Sequence, residues 1–316
     1  YYIRRTEDLL VSPQVSGLLG PNAPGASAPL VNAGVIENRG FELALGFNDY
    51  IGDDFKVSAR YNLTTIDNEV LSVSEGVEFL VGGAFGIGQD PPSRMETGFP
   101  LGYFRGFKTA GIFQNQEQVE SLPTINNNVR PGDLIFVDIN NDGVIDDDDR
   151  TNIGNPIPDF TMGFNLSFEY KNFDFVAYAF ASIGNEIVRN YERNNPLTNR
   201  TTYYLDRWRG EGTSNSFPRV TTGANSNILF SDFYVEDGSF LRMQNITLGY
   251  SLSDRALENS KLSKVRFYAA VQNLFTLTEY QGFDPVLSSG APIGGGIDGG
   301  GYPNPRQFLL GMNLKF

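Results

Sequence analysis

Apolar and polar positions alternate along much of the chain, in segments of about ten residues. Phe41, Leu43, Leu45 and Phe47 interleave with Glu42, Ala44, Gly46 and Asn48, and after the turn "YIGDD" Val57, Ala59, Tyr61 and Leu63 interleave with Lys56, Ser58, Arg60, Asn62 and Thr64. Met162, Phe164, Leu166, Phe168 and Tyr170 alternate with Thr161, Gly163, Asn165, Ser167 and Glu169, and a "KN" turn leads into "FDFVAYAFASIG". "ITLGYSL" and "VRFYAAVQNLF" follow, joined by "SDRALENSKLS". The last segment alternates Phe308, Leu310, Met312, Leu314 and Phe316 with Gln307, Gly311, Asn313 and Lys315. A period of two sends successive side chains to opposite faces of a strand, so each segment predicts a strand with one apolar and one polar face. About ten such strands are expected.

Ten residues is the length a tilted strand needs to cross a bilayer. Short connections ("NDYIGDD", "YKNF") are followed by long ones rich in Gly, Pro, Asn and Asp, at 114–159, 190–231 and 276–304. That asymmetry is the habit of an outer-membrane barrel, whereas sandwich turns are short at both ends. Alternation alone also suits a soluble sheet packed on a second layer. Two features favour lipid. Tyr50, Tyr170, Phe173 and Tyr250 gather near the short turns as an interfacial girdle would. Glu42, Lys56, Arg60 and Glu169 fall on the polar face, where a wet lumen accepts charges that a packed interior would not. The expected fold is all-β, a transmembrane antiparallel barrel with long extracellular loops. An open sheet edge in lipid leaves backbone groups without partners, so either the strands close on themselves or residues outside this chain complete the wall.

Composition narrows the chemistry. The 316 residues carry a net charge of −13, which opposes nucleic acid as a partner. Cysteine and histidine are absent, which removes disulfides, Cys/His zinc sites and imidazole-based triads. Carboxylate-only hydrolysis remains, with Asp232, Glu236 and Asp237 as candidates. No apolar run approaches the roughly 20 residues of a membrane helix, and none resembles a signal peptide. The sequence opens at Tyr1, as a mature product or a piece of something longer would.

"DINNDGVIDDDD" at 138–149 offers oxygen ligands at calcium-loop spacing. Asp138, Asn140, Asp142, the Val144 carbonyl, Asp146 and Asp149 fill positions 1, 3, 5, 7, 9 and 12, with Gly143 at the sharp turn. A structural Ca2+ is expected here. Asp149 replaces the commoner Glu, and the alternative is a solvated loop of Asx-turns without metal. "TTYYLDRWRGEG" places Tyr203, Tyr204 and Trp208 in a long loop beside Arg207 and Arg209. These aromatics either stack on sugar or dock a partner, or pack a small core beneath the loop. "GAPIGGGIDGGGY" reads as a flexible loop, since no strand-to-helix context or GK[ST] makes it a nucleotide loop.

Several stretches together carry a family likeness. "NAGVIENRGFELAL", "METGFPLGYFRGFKTAGIFQNQEQV", "PGDLIFVDINNDGVIDDDDRTNIGNPIPDFTMGFN", "DRWRGEGTSNSFPRV", "SDFYVEDGSFLRMQNITLGYSL", "VQNLFTLTEYQGFDP" and "GGGYPNPRQFLLGMNLKF" resemble the C-terminal part of SusC/RagA-type TonB-dependent outer-membrane transporters, in the same order over nearly the whole chain. The resemblance implies that residues 1–316 are part of a 22-stranded barrel whose plug domain and TonB-contacting segment lie outside this chain. It also implies a SusD-like lipoprotein lid, outer-membrane lipid around the wall, and import of an oligosaccharide or, in some members, a peptide. The calcium-type loop would then belong to an extracellular loop between two strands. A small self-closed barrel with an adhesin or structural role is the alternative, and it requires the first and last strands to pair.

Overall fold

The computed structural model describes residues 1–11, 31–32, 34–74, 76–83, 85–86, 89–191, 201–223, 225–258, 260–286 and 292–316. Seven long strands form one antiparallel meander. They are β1 (Glu42–Ile51), β2 (Phe55–Thr65), β3 (Phe160–Tyr170), β4 (Phe173–Ile183), β5 (Phe240–Ser251), β6 (Lys264–Thr278) and β7 (Gln307–Lys315). Each pairs with its neighbour in sequence, in the spatial order β7-β6-β5-β4-β3-β2-β1. The remaining strands are short and lie in the connections or in the stretch before β1.

The pairing register converts the alternation into two faces. Val57, Phe168, Phe175, Leu248, Ala269 and Leu310 stand opposite one another across six strands. One position along, Lys56, Glu169, Asp174, Gly249, Tyr268 and Gly311 form the neighbouring row on the other face. Lys56 and Glu169 approach to 3.8 Å there, and Asp174 pairs with Arg266 across β5. That last pair needs Gly249 between its partners, since a Cβ at 249 would collide with both side chains. The apolar face is bare: Phe308 is 74% exposed and Leu310 88%.

Tyr170, Phe173 and Tyr250 belong to the apolar face at the short-turn end, the Phe173 and Tyr250 rings 4.8 Å apart. Tyr50 does not join that girdle. It stands opposite Lys56 on the polar face, its ring centroid 5.9 Å from the ammonium, because its even number puts it out of phase with Leu43, Leu45 and Phe47. A second irregularity also has a parity cause. The apolar positions of β5 run 241, 243 and then 246, 248, 250, and a bulge between Met243 and Asn245 restores their common face. Across from it, Asn273 takes a left-handed φ of +51°.

Short turns close one end of the sheet, at 52–54, 171–172 and 252–263, and β7 finishes at that end, Lys315 opposite Lys264. The long connections 66–159, 184–239 and 279–306 leave from the other end. Both edges of the sheet are open. Among the described residues β1 pairs only with β2 and β7 only with β6, while Tyr2–Thr6 pairs with Val35–Gly40. First and last strands therefore do not meet, and the self-closed small barrel is not the arrangement adopted.

The buried core lies in the loops rather than in the wall. One cluster joins Ile36, Val70, Leu80 and Met95; a second joins Phe85, Phe104, Val188, Phe230 and Ile297; a third joins Phe107, Ile112, Leu134, Phe136 and Ile145. The second draws on all three long connections. Val188 pairs in parallel with Ile297, and the Phe107 carbonyl accepts from the Asp232 N–H while the Phe107 N–H donates to the Phe230 carbonyl. Ile297–Asp298, within the glycine tract read as a flexible loop, is thus a buried two-residue strand; Gly290 and Ala291 of that tract lie outside the described residues. Glycine-flanked apolar residues can still be ordered when a neighbouring strand supplies partners. No helix among the described residues is long and apolar enough to cross a membrane.

Candidate ligand cavity over the wall

An open cavity of about 690 Å³ sits where the three long connections meet. The first contributes Thr109, from the strand Thr109–Ile112. The second contributes Arg189 from Glu186–Arg189, Tyr203 and Asp206 from the 3-10 turn Thr202–Asp206, and Asp232, Glu236 and Asp237 from adjoining short elements. The third supplies Glu279 and Gln281 as it leaves β6.

The three acids considered for hydrolysis do come together here, but each holds structure. Asp232 accepts from the Thr109 backbone N–H at 3.1 Å and hydroxyl at 2.6 Å. Glu236 pairs with Arg189 at 2.9 Å and accepts the Gln281 N–H at 3.0 Å, tying the second connection to the third. Asp237 accepts from the Ser239 N–H at 2.8 Å. The Asp206 and Glu279 carboxylates make no hydrogen bond or ion pair among the described residues, and both residues are exposed. Beside them the Tyr191 and Tyr203 hydroxyls lie 3.3 Å apart, and burial pushes both above the usual phenol range. Sequence reasoning missed Arg189, Asp206, Glu279 and Gln281, which share no local pattern and meet only through tertiary packing.

The aromatic loop divides. Trp208 packs against the third cluster and donates its indole N–H to Gln114 at 3.2 Å, and Tyr204 lies 4.8 Å from the Phe217 ring. These two form the small core beneath the loop. Tyr203 lines the cavity, with the Arg189 guanidinium 4.9 Å from its ring centroid.

The acidic loop stands apart from that cavity. Asp138 accepts from the N–H groups of Asp142 (3.2 Å) and Gly143 (2.8 Å), Asn140 from Asp142 (3.0 Å), and Asp142 from Val144 (2.8 Å). Asp146 accepts from Asp148 at 2.9 Å, and the fully buried Asp149 accepts from Ile139 and Asp146 at 2.7 and 2.9 Å. Gly143 takes φ +85° with open space around it, as the sharp turn requires, and Ile145 anchors the loop in the third cluster. Among the described residues no group of three or more acidic side chains is placed to hold a metal ion. Backbone N–H groups reach an oxygen on each of Asp138, Asn140, Asp142, Asp146 and Asp149, a run of Asx-turn contacts along the loop.

No family model matches the chain. It is 33% identical, over its whole length, to TonB-dependent receptor P3 of Formosa agariphila, of which it covers 32%. It is 29% identical, again over its whole length, to TonB-dependent receptor SusC of Bacteroides thetaiotaomicron, covering 29% of that protein. The chain therefore spans about a third of the length of the curated relatives it matches. Its fold matches a solved structure of the RagAB peptide transporter with a TM-score of 0.76 at 23% identity, over 99% of this chain and 32% of the other.

Proposed function

We propose a role in nutrient import, on the premise that the chain is a length of outer-membrane barrel of the SusC/RagA-type TonB-dependent receptors. In that setting the bare apolar face of β1–β7 meets lipid, the polar face lines the lumen, and the three long connections are extracellular. The proposed cargo is a bulky nutrient, an oligosaccharide or a peptide, moved with energy delivered through TonB. A plug domain and a TonB-contacting segment outside this chain, and a SusD-like lipoprotein over the mouth, complete the proposed transporter. The observation that carries this reading is the coexistence of an unpacked two-faced wall with a packed extracellular cap enclosing a cavity. SusC is named a TonB-dependent receptor and RagAB a peptide transporter, which supports both receptor and cargo class. The test is deletion of the full-length gene in its host, with growth on defined glycans and peptides as sole nutrients. Loss of growth on one class, reproduced by removing TonB, is expected; unchanged growth and uptake on every cargo contradicts import.

We carry a structural Ca2+ forward as a second proposal for 138–149, supported by the spacing of Asp138, Asn140, Asp142, Val144, Asp146 and Asp149. A modest closing of the loop would exchange some N–H contacts for the ion. Limited proteolysis of the full-length receptor with and without a chelator checks it: faster cleavage near 138–149 under chelation is expected, and equal rates refute the ion.

A further inference from the structure

The outward row of β2 does not end where the strand reaches bilayer length. Within the strand it reads Phe55, Val57, Ala59, Tyr61, Leu63 and Thr65, and the next two positions of the same parity are Asp67 and Glu69. Register carries the face across that change. Glu42 stands opposite Thr64 within the wall and Arg39 opposite Asp67 beyond it, so the hairpin keeps one pairing frame from Ile51 up to Ile36. Burial shows the same parity. Even-numbered Ile36 and Val70 enter the first apolar cluster of the cap, while Asn68 donates to Asn38 at 2.8 Å and accepts the Leu101 N–H at 2.7 Å. The odd-numbered side chains therefore continue the outward face, and here they are charged. Arg39 donates to Asp67 at 2.7 Å and lies 3.8 Å from Glu69, and Arg5 stands opposite Glu37.

Aromatic rings mark both ends of the apolar stretch. At the short-turn end Phe55, Tyr170, Phe173, Tyr250 and Phe267 form one row across five strands. At the other end the exposed Tyr1 and Phe41 rings lie 5.2 Å apart, and the Phe41 carbonyl accepts the Thr65 N–H. Such rings favour the two interfaces of a bilayer. A strand of 11 residues, rising about 3.3 Å per residue and tilted by about 40°, climbs about 25 Å, the height of the apolar band on an outer-membrane barrel. Charges on a lipid-facing row cost most at mid-bilayer and little at its edges. An ionic row one step past Thr65 is where hydrocarbon has to stop.

We propose that the outer limit of the hydrocarbon runs between the Phe41–Thr65 row and the Arg39–Asp67 row, and that the outward face of Tyr2–Thr6, Val35–Gly40 and Asp67–Ser72 docks against the head-group layer of the outer leaflet. The proposal rests on the outer-membrane reading and deepens it, by giving the wall a height and its rim a partner. Both signs of charge stand on this face, Arg5 and Arg39 among Glu37, Asp67 and Glu69, which matches a layer of phosphates and their counter-cations. The cluster of Ile36, Val70, Leu80 and Met95 then begins at head-group level, with this small sheet as its outer wall.

The test places single cysteines at 59, 61, 63, 65, 67 and 69, and at 5 and 37 on the paired strands, in the full-length receptor with any native cysteine replaced by serine. Each is labelled with bimane and reconstituted in phosphatidylcholine vesicles. Two quenchers are compared, lipid brominated deep in its acyl chains and aqueous iodide. Bromolipid quenching is expected to be highest at 59 and 61 and at least threefold lower at 5, 37, 67 and 69, where iodide quenching is at least threefold above its value at 61. Positions 5 and 37 leave the Arg39–Asp67 pair intact, so their agreement guards the profile against damage by the label. Bromolipid quenching at 67 and 69 equal to that at 61, or iodide access at 63 equal to that at 69, overturns the boundary and leaves the membrane reading. Absence of bromolipid quenching at every position overturns both.

Discussion

The wall and its cap spend the same kinds of residue in opposite ways. In the wall, Phe308 and Leu310 lie 74% and 88% exposed, while in the cap Phe104, Phe107 and Phe113 are buried to within 1%. The wall leaves its apolar row for hydrocarbon and needs no second layer, so its order comes from backbone pairing and register. The cap stands in water and must bury its own apolar surface, so it builds three clusters and ties them with polar anchors. Asp133 shows how: fully buried, it receives Arg219 at 2.7 and 3.0 Å and the Asn227 amide at 2.9 Å, joining the first long connection to the second.

This contrast can be broken at defined positions. Asp133→Ala has the largest expected effect, about 3–5 kcal/mol, because it leaves Arg219 without its buried partner. Protease sensitivity is expected to rise throughout 66–159 and 184–239 while the wall keeps its resistance to detergent unfolding; loss of both together would show that cap and wall fold as one unit. Leu134 and Leu310 make a matched pair, one 3% and the other 88% exposed. Leu134→Ala is expected to cost about 2–5 kcal/mol of cap stability. Leu310→Ala is expected to change the wall by less than about 1 kcal/mol, as a surface substitution does. Urea unfolding followed by loop and wall probes separates them, and equal costs would contradict the lipid-facing assignment of Leu310.

Polarity tests the faces. Leu45→Arg is expected to cost about 2–4 kcal/mol in bilayers, while Asn62→Arg on the other face is expected to be nearly neutral. Folding yields into vesicles report both, and the reverse order would invert the wall.

The smallest effect is one of pH. Asp284, in the third connection, is driven upward by burial, but its hydrogen bonds from Arg242, Val286 and Asn304 outweigh that and hold its pKa below the ordinary carboxylate value. A depressed pKa means the contribution is full above the unfolded value near ~3.9 and is lost as pH falls through the folded one. Hydrogen exchange in 279–306 is expected to quicken below about pH 4, and Asp284→Asn to flatten that dependence.

Much of the wall was legible because its signal is local. A period of two needs only neighbours, and even the phase slip in β5 and the inward placement of Tyr50 are written in residue parity. The cap was not legible, since Asp133 and Arg219 stand 86 positions apart and Phe104 meets Ile297 through no periodic pattern. The site lay between these cases. Asp232, Glu236 and Asp237 cluster in sequence and could be named, although as hydrolytic acids rather than as groups that hold the cavity together. Asp206 and Glu279 could not, because only packing brings their connections together.

The central claim is the direction of the apolar row, and site-directed labelling measures it directly: residues 1–316 contain no cysteine, and any cysteine elsewhere in the full-length receptor is first replaced by serine. Single cysteines placed in turn at 161–168 of β3, spin-labelled in the full-length receptor and reconstituted in bilayers, report collision rates with oxygen and with a water-soluble nickel chelate. Oxygen access is predicted to peak at 162, 164, 166 and 168 and nickel access at 161, 163, 165 and 167. The same period with the two reagents exchanged, or no period at all, would contradict the account.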